Sequence, residues 1–599
     1  MYCGDETGSF IGDVGSHACR FGYGGEDSPK YLAPTYMAEQ DEADAADANA
    51  SHSSLNSNSA NNRKSNRCYM PSSCYQGRMA SQQVTPILRM SWLGGEDNAE
   101  YKKQQALTAV PQVDPNAYLQ QGDMIHDWDA LERVWQTSFD VLRVRDTQKH
   151  TVGGAPYLST KPTAITSRSA TEEKEGENQR QQRRLLASST IKSDKSVGSG
   201  KCVHPILAVT PGLTYTVGSR YTSDSPGSKY FAAVQREQHT RLTELLMESM
   251  EAPAIFLAPT PMLSSFCFGR QTALVVDVGA GGCRVTPVVD GLLLQHAQRR
   301  NGRGGDWLGN VAWRALLEEK VVLRPRYQVR EAVSATATKS PYLYRWAMQD
   351  LMYEFRTSGH VQLASWCIDE NVPFWSSSST KRESSIPSSG NDEEGGTDAD
   401  EDGHKEEDIM DVDEDETSDA SAFGSGNVDA VTYELPDGTR IDLSSKVGQD
   451  LCRIPELLFT DNTPFLNSSA TSHSSIRAPA GVLDEHHTLS NSPLHKLIFS
   501  SLTSVGDGDS RRDLTNNIIL TGGSSLFPQL EQRLSLEVPR VVPSAYKCRV
   551  IASRNSTERS YSAWIGGSVL TSLGSFQQLW LSRTEYEEYG ATLSIQRFP

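Results

Sequence analysis

The stretch V-V-D-V-G-A-G-G-C-R-V, residues 275–285, decides how the chain is read, and a near echo, I-G-D-V-G-S-H-A-C-R-F, stands at 11–21. Each reads as an apolar strand, then Asp, Val, Gly and a small residue, then a second strand. A third glycine turn, Thr521-Gly522-Gly523-Ser524, follows the apolar run Asn-Asn-Ile-Ile-Leu and opens a helix through Leu526 and Phe527. Glycine lets backbone N–H groups approach an anion with no Cβ in the way. Successive N–H groups in such turns form concave nests for phosphate. Asp13 and Asp277, each ending a strand, are suited to hold a phosphate-bridging divalent cation through water. One such turn is a weak signal. Two Asp-Val-Gly hairpins in separate halves, with a third turn opening a helix, make a much stronger one. The dinucleotide fingerprint is excluded, because Arg284 stands where its third glycine belongs and a strand follows instead of a helix. No Gly-Lys-Ser/Thr follows, so this is not a Walker loop either. Two facing hairpins from a duplicated lobe would grip a nucleotide phosphate chain from both sides.

The charge of the chain is local. Of a net −18 over 599 residues, the segment 392–419 carries 16 acidic residues and one Lys, which is 16 − 1 = 15 negative charges. The remainder holds only about −3, so the acidity describes a tail-like insert rather than the folded body. Ten cysteines are scattered without a C-x-x-C pair, which reads as free thiols in a reducing compartment. No apolar run is long enough for a membrane span, and the N-terminus lacks a basic-then-apolar signal. A soluble protein of the cytosol or nucleus, with no membrane partner, is expected.

Along the chain, 38–83 and 145–201 are polar and 376–428 is Ser-rich and then acidic; all three are expected to stay disordered. Between them, Trp128, Leu131, Val134, Trp135 and Phe139 fall at helical spacing on one face. A buried strand is expected within 202–211, a strand entering a helix within 252–263, a hairpin within 273–291, and helices within 240–250, 313–323 and 343–355. A Pro-Asp-Gly hairpin is expected at 433–443, and two helices are expected to close the chain. Without the inserts, enough chain remains for a large two-lobed α/β body.

These residues resemble a known family. D-V-G-S-H-A-C-R-F-G-Y-G-G-E-D-S-P-K-Y-L-A-P looks like the first phosphate loop of actin and its relatives, and V-V-D-V-G-A-G-G-C-R-V-T-P-V-V-D-G-L-L-L like the second. T-G-G-S-S-L-F-P-Q-L-E-Q-R-L looks like the adenosine-binding turn and helix, Y-E-L-P-D-G is shared letter for letter, and 562–590 is similar to the actin C-terminal segment. Within the family the chain is most similar to the nuclear actin-related protein four subfamily, on its first 30 residues, on 256–270 and on 553–568. The resemblance implies an α/β, actin-like ATPase fold: duplicated ribonuclease-H-like lobes in four subdomains around a nucleotide cleft. Residues 1–37, 106–144, 202–267 and 562–599 would form subdomain 1, and 38–105 a divergent subdomain 2. Residues 268–303 and 493–561 would form subdomain 3, and 304–492 subdomain 4. It implies ATP, with Mg or Ca, held by Asp13, Gly15, Ser16, His17 and Arg20, by Asp277, Gly279, Ala280, Gly281 and Gly282, and by Gly522, Gly523, Ser524, Leu526 and Phe527.

Departures from the family pattern bear on chemistry. The water-positioning Gln is replaced by Thr260, a second-loop Asp by Ala280, a His by Arg284, a first-loop Gly by His17 and an adenosine-packing Lys by Ser560. The phosphate-reaching Lys becomes Arg20, which keeps a cation there. His17 either meets the γ-phosphate or turns out to solvent. Losing nucleophile-positioning groups costs phosphoryl transfer a factor of about 100 or more. ATP binding without appreciable hydrolysis is therefore expected.

The actin filament loop is replaced by the polar 38–83, and the acidic insert would repel a neighbour, so self-polymerisation is not expected. Trp564, Ile565, Leu570, Leu573, Phe576, Leu579 and Trp580 should leave part of a groove for a partner helix. The resemblance implies that this helix belongs to a remodelling ATPase or acetyltransferase scaffold, with nuclear actin as companion and histones as a contact of the acidic insert. The rival readings are an active, filament-forming ATPase and an acidic histone chaperone.

Overall fold

The computed structural model describes residues 8–40, 68–70, 83–89, 124–125, 127–144, 202–210, 236–321, 323–324, 341–363, 432–435, 438–460 and 492–598. Two mixed sheets organise them. The first runs, edge to edge, Leu581–Ser582, Ala254–Pro259, Ile206–Thr210, Phe10–Val14, Ala18–Tyr23 and Tyr31–Pro34. The second runs Val550–Ile551, Ile518–Thr521, Ala273–Val278, Cys283–Val289 and Leu292–Leu293, with Arg299–Asn301 also against Cys283–Val289. In both, a leading strand pairs antiparallel with its hairpin partner and parallel with a strand from much later in the chain. A further parallel strand follows on the same side. This shared order is the duplication that the echo at 11–21 and 275–285 announces.

The strands form where they do because both faces are covered. Phe10–Val14, Ile206–Thr210 and Ile518–Thr521 are buried at every position, as near-continuous apolar parallel strands require. The Trp128–Leu142 helix buries Leu131, Val134, Trp135 and Phe139 as their spacing predicts. The Asp127 carboxylate caps it by accepting from the Ala130 N–H at 2.9 Å, worth about 1 kcal/mol, and Arg143 ends it in the left-handed region at φ 55. Trp135 reaches so close to the first sheet that a Cβ on Gly12 would stand 2.2 Å from its ring.

The Thr260–Cys267 and Ser556–Thr571 helices join the halves. A Cβ on Gly566 would stand 1.8 Å from the Leu263 carbonyl oxygen, so glycine sets how near the helices lie. The Ser264 and Ser562 hydroxyls meet beside that contact at 3.0 Å.

Three expectations need correction. Residues 38–83 are not wholly without fold: Tyr36–Gln40 pairs with Cys68–Met70 and with Gln83–Pro86, an antiparallel ladder that satisfies the backbone groups of all three. The helix expected through 313–323 stops at Glu318, where Lys320 turns left-handed at φ 59 ahead of a β-branched residue. The chain does not close with two helices. A 3₁₀ turn, Gly574–Gln578, and the edge strand Leu581–Ser582 follow the Ser556–Thr571 helix. A capping box at Ser582 and Glu585 then starts the Arg583–Tyr589 helix, and Leu593–Arg597 is a last short one. The 433–443 hairpin forms, with Gly438 at φ 82. Most of 38–83 and all of 145–201 and 376–428 lie outside the described residues. Among the described residues, no helix is long and apolar enough to cross a membrane.

Candidate functional site

The two Asp-Val-Gly hairpins are the same object built twice. In the first, Asp13 lies opposite Arg20 and Val14 opposite Cys19. In the second, Asp277 lies opposite Arg284 and Val278 opposite Cys283. Each tip is closed the same way, the Gly15 N–H donating to the Ala18 carbonyl at 3.2 Å and the Gly279 N–H to the Gly282 carbonyl at 3.0 Å. Those two N–H groups are therefore spent inside their own turns, and Gly15 and Gly279 are not the anion-facing donors that the sequence suggested. The tip N–H groups of Ser16 and His17, and of Ala280 and Gly281, carry no backbone partner among the described residues. Each hairpin thus offers a two-donor nest. Gly282 sits at φ 151, with its would-be Cβ 2.3 Å from the Asn301 carbonyl oxygen, so only glycine closes that tip.

The third turn is clasped to the second hairpin. Gly522 adopts φ 96, and a Cβ there would stand 2.3 Å from Asp277 Oδ1. The Ser524 hydroxyl donates to the Gly279 carbonyl at 3.2 Å. The Gly305 and Asp306 N–H groups, heading the Gly305–Glu318 helix, donate to the Gly279 and Ala280 carbonyls at 3.0 Å each. The loop carbonyls are thereby taken up from behind and the free N–H groups left in front. Gly523 has open space around it. Leu526 is exposed, whereas Phe527 packs into the second lobe's core instead of facing a ligand. Its ring follows a turn that points inward.

Charge is concentrated between the hairpins. Arg20 Nη1 donates to Asp13 Oδ2 at 2.6 Å, and the guanidinium lies 5.1 Å from the Tyr561 ring centroid. Burial works against the Arg20 charge, but the Asp13 carboxylate more than offsets it and the pKa moves up. Asp277 is pushed up to about 7 by burial, Arg20 pulling it down and Asp13 adding to the rise. Arg284 falls to about 9 through burial and the neighbouring Arg300, with Asp13 opposing. Asp13 thus acts on Asp277 and Arg284 of the other lobe, so the two rungs lie within electrostatic reach of each other. His17 stacks on Tyr353 of the Pro341–Arg356 helix, ring centroids 4.8 Å apart, and so reaches across to the second lobe. It meets water on one side. The crowding of the cleft, then the charges of Arg356 and Arg20, still push its pKa down to about 4 and keep it neutral.

What the arrangement holds follows from its donors. Free tip N–H groups and guanidiniums facing one gap suit a phosphate chain. A bare cation is less well served: Asp13 is engaged by Arg20, and no cluster of three His, Cys, Asp or Glu suited to a metal occurs among the described residues. A divalent ion would arrive with the phosphates and draw most of its shell from them and from water. Thr260 lines a cavity of about 10 Å³ with Asp277, Arg284 and Gln298, the room of a single water. Its hydroxyl donates to the Thr210 carbonyl at 3.2 Å. Tyr353 and Arg356 were not legible as site residues, since they sit on a helix recognised only by its apolar spacing. The paired arginines were open to recognition, because D-V-G-x-x-x-C-R occurs word for word at 13–20 and 277–284.

Comparison with known proteins agrees with this geometry. A sequence model of the Actin family matches residues 4–179 and 231–599. The protein named Actin-related protein 4 in Arabidopsis thaliana is 26% identical over 603 aligned residues, covering the whole of both chains. Actin-related protein 4 of Saccharomyces cerevisiae is 30% identical over 370 residues, 59% of this chain and 74% of its own. A Schizosaccharomyces pombe protein named "SWI/SNF and RSC complexes subunit arp42" is 29% identical over 369 residues, 59% of this chain and 72% of its own. With duplicated sheets, mirrored hairpins and a family match over most of its length, the chain belongs to the actin family.

Proposed function

We propose that the chain is a nucleotide-binding structural subunit of nuclear chromatin-modifying assemblies, neither a filament former nor an active ATPase. One observation carries the nucleotide reading: two equivalent hairpins lie within electrostatic reach of each other, each with two free tip N–H groups and an Asp–Arg rung. ATP would lie with its phosphates between Ser16–His17 and Ala280–Gly281 and its adenosine toward Gly523 and Leu526. Two features of the one-water cavity support weak hydrolysis. Thr260 gives its hydroxyl to a backbone carbonyl instead of to a water, and Arg284 adds a cation beside Asp277, which is left as the one carboxylate of the lining.

The assembly reading rests on the surface and on the relatives. Val569, Leu573 and Leu579 are 45%, 49% and 51% exposed along the C-terminal helix and turn, while Trp564, Phe576 and Trp580 are buried. An exposed apolar strip of this kind suits the apolar face of a partner helix. The Schizosaccharomyces pombe relative's name places that protein in SWI/SNF and RSC complexes, which supports membership of such a complex; the partner we propose is a scaffold helix of a remodelling ATPase or of an acetyltransferase complex. Nuclear actin is the companion, and the 392–419 acidic segment is a contact for histones. Tagged purification from nuclei, read by mass spectrometry, should recover a remodelling ATPase or an acetyltransferase scaffold; recovering neither would overturn the reading. Incubation with Mg-ATP should give no pellet and no stoichiometric phosphate release, and a pellet with release would favour the filament-forming ATPase.

A further inference from the structure

Arg356, the last residue of the Pro341–Arg356 helix, is only 6% exposed, and its Nε has no hydrogen-bond partner. No carboxylate forms an ion pair with it among the described residues, and its guanidinium carbon lies 5.8 Å from the Tyr353 ring centroid. Asp306 compensates its charge only through space, without an ion pair, and a buried guanidinium so incompletely paired is costly, so the group is suited to a further anion that completes it.

Its position says which anion. A Cβ on Gly305 would stand 2.5 Å from Arg356 Nη1, 2.5 Å from Ser524 Oγ and 3.6 Å from Ala280 Cα. Arg356 therefore reaches the point where the second hairpin and the third glycine turn meet. Through Tyr353, which stacks on His17, it also borders the first hairpin. We infer that Arg356 is an anion-binding residue of this cleft, a guanidinium that takes the phosphate chain of the nucleotide from the second lobe. The inference rests on the nucleotide reading above and adds a side-chain donor to its backbone nests. A planar guanidinium held over an aromatic ring is suited to chelating phosphate oxygens.

The rival role is structural, with Arg356 neutralising Asp306 through space. The full-length protein and its Arg356→Met and Arg356→Lys variants separate the two. Binding of ATP, ADP and adenosine is measured by calorimetry, and melting is followed without ligand. Arg356→Met should weaken ATP and ADP about ten- to a hundredfold and leave adenosine within about twofold. Arg356→Lys should recover part of the loss. The ligand-free melting temperature of Arg356→Met should hold or rise, because an unpaired buried charge has been removed. Unchanged ATP affinity in Arg356→Met, an equal loss for adenosine, or a lowered ligand-free melting temperature would each overturn the inference while leaving nucleotide binding in place. A native protein that binds neither ATP nor ADP would instead overturn the nucleotide reading, and this inference with it.

Discussion

Arg20 and Arg284 occupy the same rung of two equivalent hairpins but meet different surroundings. Arg20 is held by Asp13 at 2.6 Å, whereas Arg284 shares its space with Arg300. Removing one member of a buried pair strands the other, so Arg20→Ala should lower stability by about 3 kcal/mol, and Arg20→Ala with Asp13→Ala should lower it by less than the two single changes together. Urea unfolding of the four proteins checks this. Asp306 gives a pH signature of its own: burial pushes it up to about 6, with Arg356 opposing. An acid raised in the fold favours folding while it is protonated. That advantage is complete below its ordinary value near 3.8 and is lost as pH rises through about 6. Asp306→Asn should flatten the stability profile over that window and raise the neutral-pH melting temperature by about 2–4 °C, measured by thermal melts from pH 4 to 8.

At the scale of elements, both hairpins, the parallel strands beside them and the Trp128–Leu142 helix were legible because their signals are local. Glycine marks the tips, unbroken apolar runs mark strands covered on both faces, and five apolar positions mark one helical face. The C-terminal segment was less legible, since strand Leu581–Ser582 is made by pairing with Ala254–Pro259, which is far away in sequence. The place of Arg356 beside Gly305 and Ser524 was hidden for the same reason, whereas the closing of the tips by the Gly15 and Gly279 N–H groups is local and depends on dihedrals that these loops leave open. The helix junction has a sharper dependence. Gly566→Ala would place a Cβ 1.8 Å from a backbone oxygen that cannot swing aside. It should cost about 1–3 kcal/mol or more, read as a lowered urea midpoint. Gly574→Ala, which meets nothing within 4 Å, should cost much less and serves as the control.

At the scale of the whole molecule, the gap between the hairpins and the apolar C-terminal strip draw on different residues and should respond to mutation separately. Leu573→Asp with Leu579→Asp should abolish recovery of the scaffold partner while leaving ATP affinity and the melting temperature unchanged, because both side chains are already about half exposed. Deleting 392–419 removes 15 of the 18 net negative charges. If the acidic segment carries histone contact, binding of histones by the free subunit should fall steeply. The stack of His17 on Tyr353 has a consequence in time. One ring belongs to each lobe, so the lobes separate only when the stack breaks, at about 0.5–1.5 kcal/mol for such a pair. On the nucleotide reading proposed above, that would slow opening by up to about tenfold. The clasp would then set a dwell time: a nucleotide loaded once would outlast brief encounters with partners, and the molecule would carry a record of its last loading instead of tracking the pool around it.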